Sequence, residues 1–421
     1  MHDAIKLIEG TSFRGRLRHI LLAIFFAICM IPINVGGDGA AAVSVNYSFL
    51  LYPILMLFLG KLRKPPEAFL MAMTFFCLIF GISTIYQTDM LSEFVRRMAS
   101  FIVFMSIFSF MFVEIDDKMV AAFKAAIVLA ACYFALKSII IFFVLGGSSL
   151  GDNAKNAVGG QRYGFIYLMA FWVTYLSSPK PLLARIVKPG LVFIMLIGLA
   201  LTFSRASIVA LMSSFGLFTI LSLRDVSFDK LLKGALLTAI GGVLGYFILN
   251  TYFSFVLTFF GDRLFDFFSN TSLVQRHLAT ASSSEGARIQ EWTAILNFVS
   301  NNPFTGSGYL GAWTLIKTGG LGSAHNQYFD VLLRTGIFGF LIYLAFLFQI
   351  GKLLRTRDRG LFWGLCGTIV YGMFHETFKE SQGAFLLTFL LGMIAQGQLA
   401  VPNLPGLRAF VSRKPPAFTP S

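Results

Sequence analysis

The sequence predicts an all-α polytopic membrane protein with about twelve transmembrane helices. Three observations support this fold class. Hydrophobic residues make up 56% of the 421 residues, and charged residues only 13%, about half their share in a soluble domain. The mean hydropathy is +0.75. The apolar residues fall in blocks of about 20, which cross a bilayer as helices, and not in the ~10-residue alternating segments of a transmembrane barrel.

The apolar blocks place the spans, to within several residues, at 18–35, 47–60, 67–86, 98–113, 120–145, 162–178, 186–203, 206–223, 233–256, 328–351, 361–378 and 384–400. The first block follows basic residues and precedes small ones, as in a cleavable signal. Many spans follow it, so we interpret it as a retained helix.

Short basic loops predict the orientation. With the N-terminus in the cytoplasm, most of the 34 Lys and Arg residues fall in inside loops, as the positive-inside rule requires. Both termini are then cytoplasmic, and residues 1–421 form one integral membrane domain. Segment 257–327 is too polar to span a bilayer, and it becomes an external loop between spans nine and ten.

The cations left on the outer side predict a site for an anionic ligand. Arg162 and Arg205 adjoin apolar helices, where an unpaired charge costs several kcal/mol. Contact with lipid phosphates is the alternative for such side chains. A guanidinium binds phosphate oxygens in a bidentate fork and stays charged. Because no outward cluster of carboxylates is found, we expect Arg, and not a divalent metal, to neutralise a phosphate ester.

The external loop contains its own helix signals. Ser282 and Glu285 fit a capping box. The helix that follows has one apolar face and ends at Asn302-Pro303. That face consists of Ile289, Trp292, Ile295, Leu296 and Val299. Arg288 lies near the positive end of this helix. The glycines that follow, Gly306, Gly308 and Gly311, allow tight turns or the close approach of a ligand.

Several common site motifs are absent from the sequence: the P-loop, HExxH, GxSxG, the dinucleotide fingerprint and the EF-hand. The four cysteines lie inside apolar runs without metal-site spacing, which is typical of buried packing residues. Asp116-Asp117 falls on the predicted inner side, where we interpret it as part of a solvated loop.

Four short motifs follow one another in the second half of the chain. They are TFSRAS at 202–207, EGAR at 285–288 with Trp292 behind it, NPFTGSG at 302–308, and HN at 325–326 with LRTGIFG at 333–339. In this order, on a many-span scaffold, they resemble the O-antigen ligase and polymerase superfamily, which also includes protein O-oligosaccharyltransferases. The resemblance covers roughly residues 160–345.

The resemblance implies a metal-independent, inverting glycosyltransferase of the bacterial inner membrane, with its site facing the periplasm. The donor would be a glycan on undecaprenyl pyrophosphate, and the ligase branch transfers it to the lipid A–core oligosaccharide. Motif match implies that Arg205 and Arg288 bind pyrophosphate and that His325 is catalytic. We therefore expect His325 to be catalytic, and we expect five residues to bind substrate: Arg205, Arg288, Arg162, Arg276 and Asn326. No cofactor, metal ion or nucleic acid is expected to take part.

The residue chemistry fits this expectation. A lipid pyrophosphate gains negative charge as the glycosidic bond breaks, so cations aimed at it stabilise the transition state. The attacking sugar hydroxyl needs a base, and histidine has an unperturbed pKa suited to that role. We expect His277 to have a surface role and His375, beside Glu376, to form an interfacial pair. The external loop is predicted to close a lipid-accessible pocket as a lid.

Two alternatives remain from the sequence. An O-antigen polymerase or a protein O-oligosaccharyltransferase would use the same donor chemistry with a different acceptor. A transporter or flippase for the lipid-linked glycan would need charged groups along a path through the membrane. Lys137 is the main mid-span candidate for such a path.

Overall fold

A computed structural model describes residues 13–31, 33–35, 43–45, 112–144, 163–178, 182–202, 204–223, 284–308, 324–377 and 381–396, with single positions at 64, 67, 70, 71, 74, 311 and 315. The predicted spans at 47–60 and 233–256 lie outside the described residues. So do nearly all positions of the spans at 67–86 and 98–113.

The described chain is almost entirely helical. The helices are α1 (Phe13–Met30), α2 (Asp117–Ile139), α3 (Gly164–Tyr175), α4 (Leu182–Ala200), α5 (Arg205–Leu223), α6 (Ser284–Asn301), α7 (Gln327–Arg357), α8 (Arg359–Tyr371) and α9 (Ser381–Gln396). A π-helical turn, Ile140–Val144, extends α2. Each of these helices corresponds to a predicted span, except α6, which is the predicted helix of the external loop. The predicted break between spans seven and eight is confirmed, since α4 ends at Ala200 and α5 begins at Arg205.

One feature departs from an all-helical chain. Strand β1 (Ile33–Val35) pairs antiparallel with β2 (Val43–Val45), with Asn34 opposite Ser44. The prediction ran span one through residue 35, but α1 ends at Met30. Pro32 lies two residues further on, and a proline cannot donate the backbone hydrogen bond that a continuing helix needs.

Three of the described helices are long and apolar enough to cross a membrane: Asp117–Phe142, Leu182–Ala200 and Gln327–Arg357. Shorter apolar helices lie at His19–Met30, Gly164–Tyr175, Ala206–Ser222 and Gly383–Ala395. These features agree with a helical membrane protein. The total of twelve spans stays a prediction, because several of them fall outside the described residues.

Helix α3 forms the centre of the described bundle. Every residue from Gly164 to Thr174 is buried, as expected for a helix that is apolar on all sides. It packs against α2, α4, α5 and α8. A cluster of aromatic rings joins α1, α2 and α9. Phe123 stacks on Phe389 at a centroid distance of 3.8 Å, and Phe26 packs against both rings.

The bundle has two chemically different ends. At one end Lys124 Nζ lies 2.6 Å from Asp358 Oδ2, and the Asp358 side chain caps α8 by accepting from Leu361 N. Both residues fall on the side predicted to be cytoplasmic. At the other end, Gly164 at the start of α3 lies against Ser207 of α5 and Tyr371 of α8. The candidate site is built at this second end.

Small residues allow this close packing, and α4 offers a matched test. A methyl group added at Gly198 would overlap the Tyr167 ring and lie 2.9 Å from Ala135 Cβ, whereas one added at Gly190 would meet nothing within 4 Å. We expect Gly198→Ala to destabilise the protein by about 1–3 kcal/mol through overpacking. Gly190→Ala should leave stability unchanged or slightly raised. Unfolding in mixed micelles measures both, and equal behaviour of the two variants would contradict the described packing.

Candidate functional site

His325 lies in a tight turn directly before α7. It is half-buried and has a backbone φ of 46°, in the left-handed region that non-glycine residues seldom adopt. The next residue, Asn326, is the N-cap of α7, and its side-chain oxygen accepts from Tyr328 N at 2.8 Å and Phe329 N at 3.2 Å. The cap fixes the point at which the chain leaves the turn and enters the helix.

The residue before His325 is held from two sides. Ala324 is fully buried. Its carbonyl oxygen accepts from the indole Nε1 of Trp292 at 3.0 Å, and its N–H donates to Oε1 of Glu376 at 2.5 Å. Both backbone polar groups of this buried residue are therefore satisfied by side chains from other helices or turns, as burial requires.

Helix α6 runs alongside the first part of α7 in the same direction. Trp292 stacks on Phe329 with centroids 5.3 Å apart. Further along, Ile337 N of α7 donates to the O of Pro303, which follows the end of α6, at 2.8 Å. Later residues of the α6 segment contact later residues of α7, so the N-terminal part of α6 lies beside the His325 turn at the start of α7. Arg288 is half-buried and precedes Trp292 by four residues, so it falls on the same side of α6.

The buried face of α6 differs in part from the prediction. Ile295 and Val299 are buried and Trp292 is half-buried, as predicted, but Leu296 is exposed. The carboxylate of Glu291 is buried instead. The helix ends at Asn301, directly before the predicted stop at Asn302-Pro303. Ser282 lies outside the described residues.

The glycines after α6 serve turns and helix packing. Gly306, Gly308 and Gly311 have φ values of 62°, 66° and 56°, which confirms the predicted tight turns. The Cα of Gly306 lies against the backbone of Arg334, and that of Gly311 lies against the Arg334 guanidinium. The close approach that these glycines allow is therefore to α7.

Helix α7 is interrupted at Gly336, whose φ of 65° and ψ of −169° are not helical. The break leaves room for Pro303 O, which would lie 2.5 Å from a Cβ at this position. Ser307 N donates to Leu333 O at 2.6 Å just before the break. The LRTGIFG motif is thus the segment on which the end of α6 docks.

A buried ion pair lies inside α7. Arg334 Nε donates to Asp330 Oδ2 at 2.8 Å, and the two side chains are only 9% and 3% exposed. The residues are one helical turn apart, so the pair is made within the helix. Burial of an arginine next to apolar helices requires such a counter-charge.

The Ser204–Arg205 turn meets the same end of α8. Ser204 Oγ lies 3.4 Å from His375 Nε2, and the His375 ring stacks on Tyr371 with centroids 4.6 Å apart. Of the predicted interfacial pair, His375 thus contacts the start of α5, and Glu376 contacts Ala324. The segment from Gly372 to Thr377 contributes to the site in a way that the sequence motifs did not indicate.

The structure brings four of the six candidate residues to this end of the bundle along the backbone, and Arg288 on α6 is one of them. His325 and Asn326 share one turn, and Arg205 begins α5 beside Ser204, although its side chain is outside the described set. Arg162 and Arg276 lie outside the described residues. The Asn326 side chain is engaged by the α7 cap and by a bond from Nδ2 to Met373 O at 2.9 Å, which is a structural role. Within the described part of the chain, no group of three or more His, Cys, Asp or Glu side chains could hold a metal ion.

The buried pair gives a stability prediction. Asp330→Ala leaves Arg334 buried without its carboxylate, and breaking a buried pair from one side costs about 3–5 kcal/mol. Glu67→Ala is the matched control, because its partner Lys64 and Glu67 itself are both highly exposed and such pairs contribute little. Denaturation in mixed micelles compares the two variants. Similar small losses for both would show that the pair does not hold α7.

A protein-family model described as O-antigen ligase matches residues 190–344. No curated protein matches the chain significantly. The matched stretch begins within α4 and ends within α7, so it includes the Ser204–Arg205 turn, α6 and the His325 turn. The match supports a glycosyltransferase-like activity of the O-antigen ligase or polymerase type, on lipid-linked glycans and lipid A–core-type substrates in general. Over residues 190–344, this membrane protein is similar to the O-antigen ligase family.

Proposed function

We propose that this protein is an O-antigen ligase, which transfers a glycan from undecaprenyl pyrophosphate to the lipid A–core oligosaccharide at the periplasmic face of the inner membrane. His325 is the general base, and Arg205 and Arg288 bind the pyrophosphate. Arg162 and Arg276 are additional phosphate-binding candidates. Asn326 acts by fixing the turn that carries His325. The reaction inverts the anomeric centre and uses neither a metal ion nor a cofactor.

One observation supports this proposal most. The Ser204–Arg205 turn and the His325 turn, more than 100 residues apart in sequence, meet at one end of the bundle through His375 and Glu376. Helix α6 brings Arg288 to the same level through the Trp292 bond to Ala324. A transferase of this kind needs a base and cations around one anomeric carbon.

The proposed chemistry is a single displacement. His325 accepts the proton of the acceptor hydroxyl while that oxygen forms a bond to the anomeric carbon. The bond from this carbon to the pyrophosphate oxygen breaks, and the lipid pyrophosphate leaves with the electron pair. Arg205 and Arg288 stabilise the charge that develops on it, which lowers the barrier more than it tightens donor binding. Attack opposite the leaving group inverts the configuration.

The acceptor separates the ligase from its close alternatives. The purified protein is reconstituted with a lipid-linked glycan, and lipid A–core, a second lipid-linked glycan or a pilin peptide is offered in turn. Transfer to lipid A–core supports the ligase. Transfer to the second glycan would instead identify a polymerase, and transfer to the peptide a protein oligosaccharyltransferase.

We expect His325→Ala to lower kcat by at least about 100-fold, because a positioned general base contributes about 10²–10⁴-fold. Donor affinity should change little. His19→Ala, in α1 on the predicted cytoplasmic side, is the histidine control and should leave turnover unchanged. Transfer kinetics and donor binding are measured on the same preparations. Normal turnover of the His325 variant would refute its role as base.

We expect Arg205→Ala and Arg288→Ala each to reduce kcat by about 10²–10³-fold, the usual effect of losing one charge-stabilising donor. Lysine at either position should restore only part of the rate, because an ammonium cannot form the bidentate fork. Arg355→Ala, at the exposed end of α7, is the control. Full activity of both alanine variants would exclude the two arginines from pyrophosphate binding.

A further inference from the structure

The turn after α8, Gly372–Thr377, is the structural partner of the His325 turn. Gly372 O accepts from Gln327 N at 2.8 Å, and Met373 O accepts from the Asn326 side chain at 2.9 Å. The Glu376 carboxylate accepts from Ala324 N. These three bonds join two segments about 50 residues apart in sequence. The partner turn lies beyond residue 344, where the family match ends.

The His325 turn needs such support because its backbone is strained. A non-glycine residue in the left-handed region costs about 1–3 kcal/mol and persists only when its surroundings hold it. The φ of His325 is the rotation that follows the carbonyl of Ala324 along the chain. The bond to the C=O of Ala324 fixes the peptide plane that leads into His325, and the bond to its N–H fixes the plane before that. Together with the bonds of Asn326 and Gln327 after the turn, they hold the direction in which the His325 side chain leaves the backbone.

The two bonds to Ala324 differ in strength. The indole of Trp292 is a neutral donor, whereas Glu376 offers a carboxylate, and hydrogen bonds to an ionised acceptor are about twice as strong as neutral ones. Ala324 is fully buried, so removing this acceptor would leave its N–H unsatisfied and destabilise the fold by about 1–3 kcal/mol. Glu376 is itself positioned by its own turn, in which Thr377 N donates to His375 O at 3.0 Å.

We propose that Glu376 is a positioning residue for the catalytic histidine, acting through its hydrogen bond from Ala324 N. This inference rests on the proposed role of His325 as base. Glu376 acts on the reaction through the geometry of the His325 turn and does not touch the substrate. A misplacement of about 1 Å at a reacting group costs about 10²-fold in rate. The effect should fall on kcat, with the KM for the donor nearly unchanged.

Three substitutions separate geometry from charge. Glu376→Ala removes the acceptor and should lower kcat about 10–100-fold, with donor KM changed less than about twofold. Glu376→Gln keeps an oxygen acceptor at the same reach and should retain most of the activity. Glu376→Asp keeps the charge but is one methylene too short to reach Ala324 N, so it should resemble the alanine variant. Glu114→Ala, an exposed carboxylate before α2, is the control and should behave as wild type.

The order of the variants decides the inference. If Glu376→Asp is more active than Glu376→Gln, the charge of residue 376 matters more than its hydrogen bond. That result would overturn the proposal. Wild-type kcat for Glu376→Ala would overturn it as well. If the alanine variant does not fold, the comparison of Gln with Asp alone still decides between the two outcomes.

A second set of variants separates this inference from the proposed function. Adding Glu376→Ala to His325→Ala should lower the residual rate no further, because the two act as one unit. If His325→Ala is fully active, the proposed base is wrong. If His325→Ala is inactive while Glu376→Ala turns over normally, the role of His325 as base is supported and the positioning role of Glu376 is refuted.

Discussion

The described end of the bundle depends on the backbone of one buried residue, Ala324. Its carbonyl is held by α6 through Trp292, and its N–H is held by the turn after α8 through Glu376. Three separate parts of the chain therefore meet at one residue, and the strained backbone of His325 follows directly. Loss of either bond would leave a buried backbone group of Ala324 unsatisfied and would release the strained backbone of His325. Packing and the geometry of the His325 turn are therefore coupled.

Local signals predicted much of this arrangement. The apolar blocks marked most of the described helices, because a helix that is buried or faces lipid must be apolar over its length. Asn302-Pro303 predicted the end of α6, since proline cannot continue a helix. The glycines at 306, 308 and 311 predicted left-handed turns that other residues seldom adopt. The family motifs predict that the Ser204–Arg205 turn and the His325 turn belong to one site, and contacts through His375 and Glu376 place both turns at one end of the bundle.

Other features depend on contacts between distant segments and could not be predicted in this way. Nothing in the sequence near Glu376 indicates a bond to a residue 52 positions earlier. Leu296 belongs to the predicted apolar face of α6 but is exposed, because the apolar stripe of a helix is wide and only its packing partner decides which edge is covered. The Asp330–Arg334 pair is different, because its spacing of four residues was visible in the sequence and identifies a pair within one helix.

That internal pair has a consequence for the assembly of the protein in the membrane. An arginine or an aspartate costs about 2.5–3.5 kcal/mol at the centre of a helix that is inserted from the translocon. The cost is smaller towards a helix end, and Asp330 and Arg334 lie in the first turns of α7. Because Asp330 and Arg334 lie on one helix and contact each other, α7 brings its own counter-charge and carries no net charge at this level. The span can therefore enter the bilayer before α6 has docked on it.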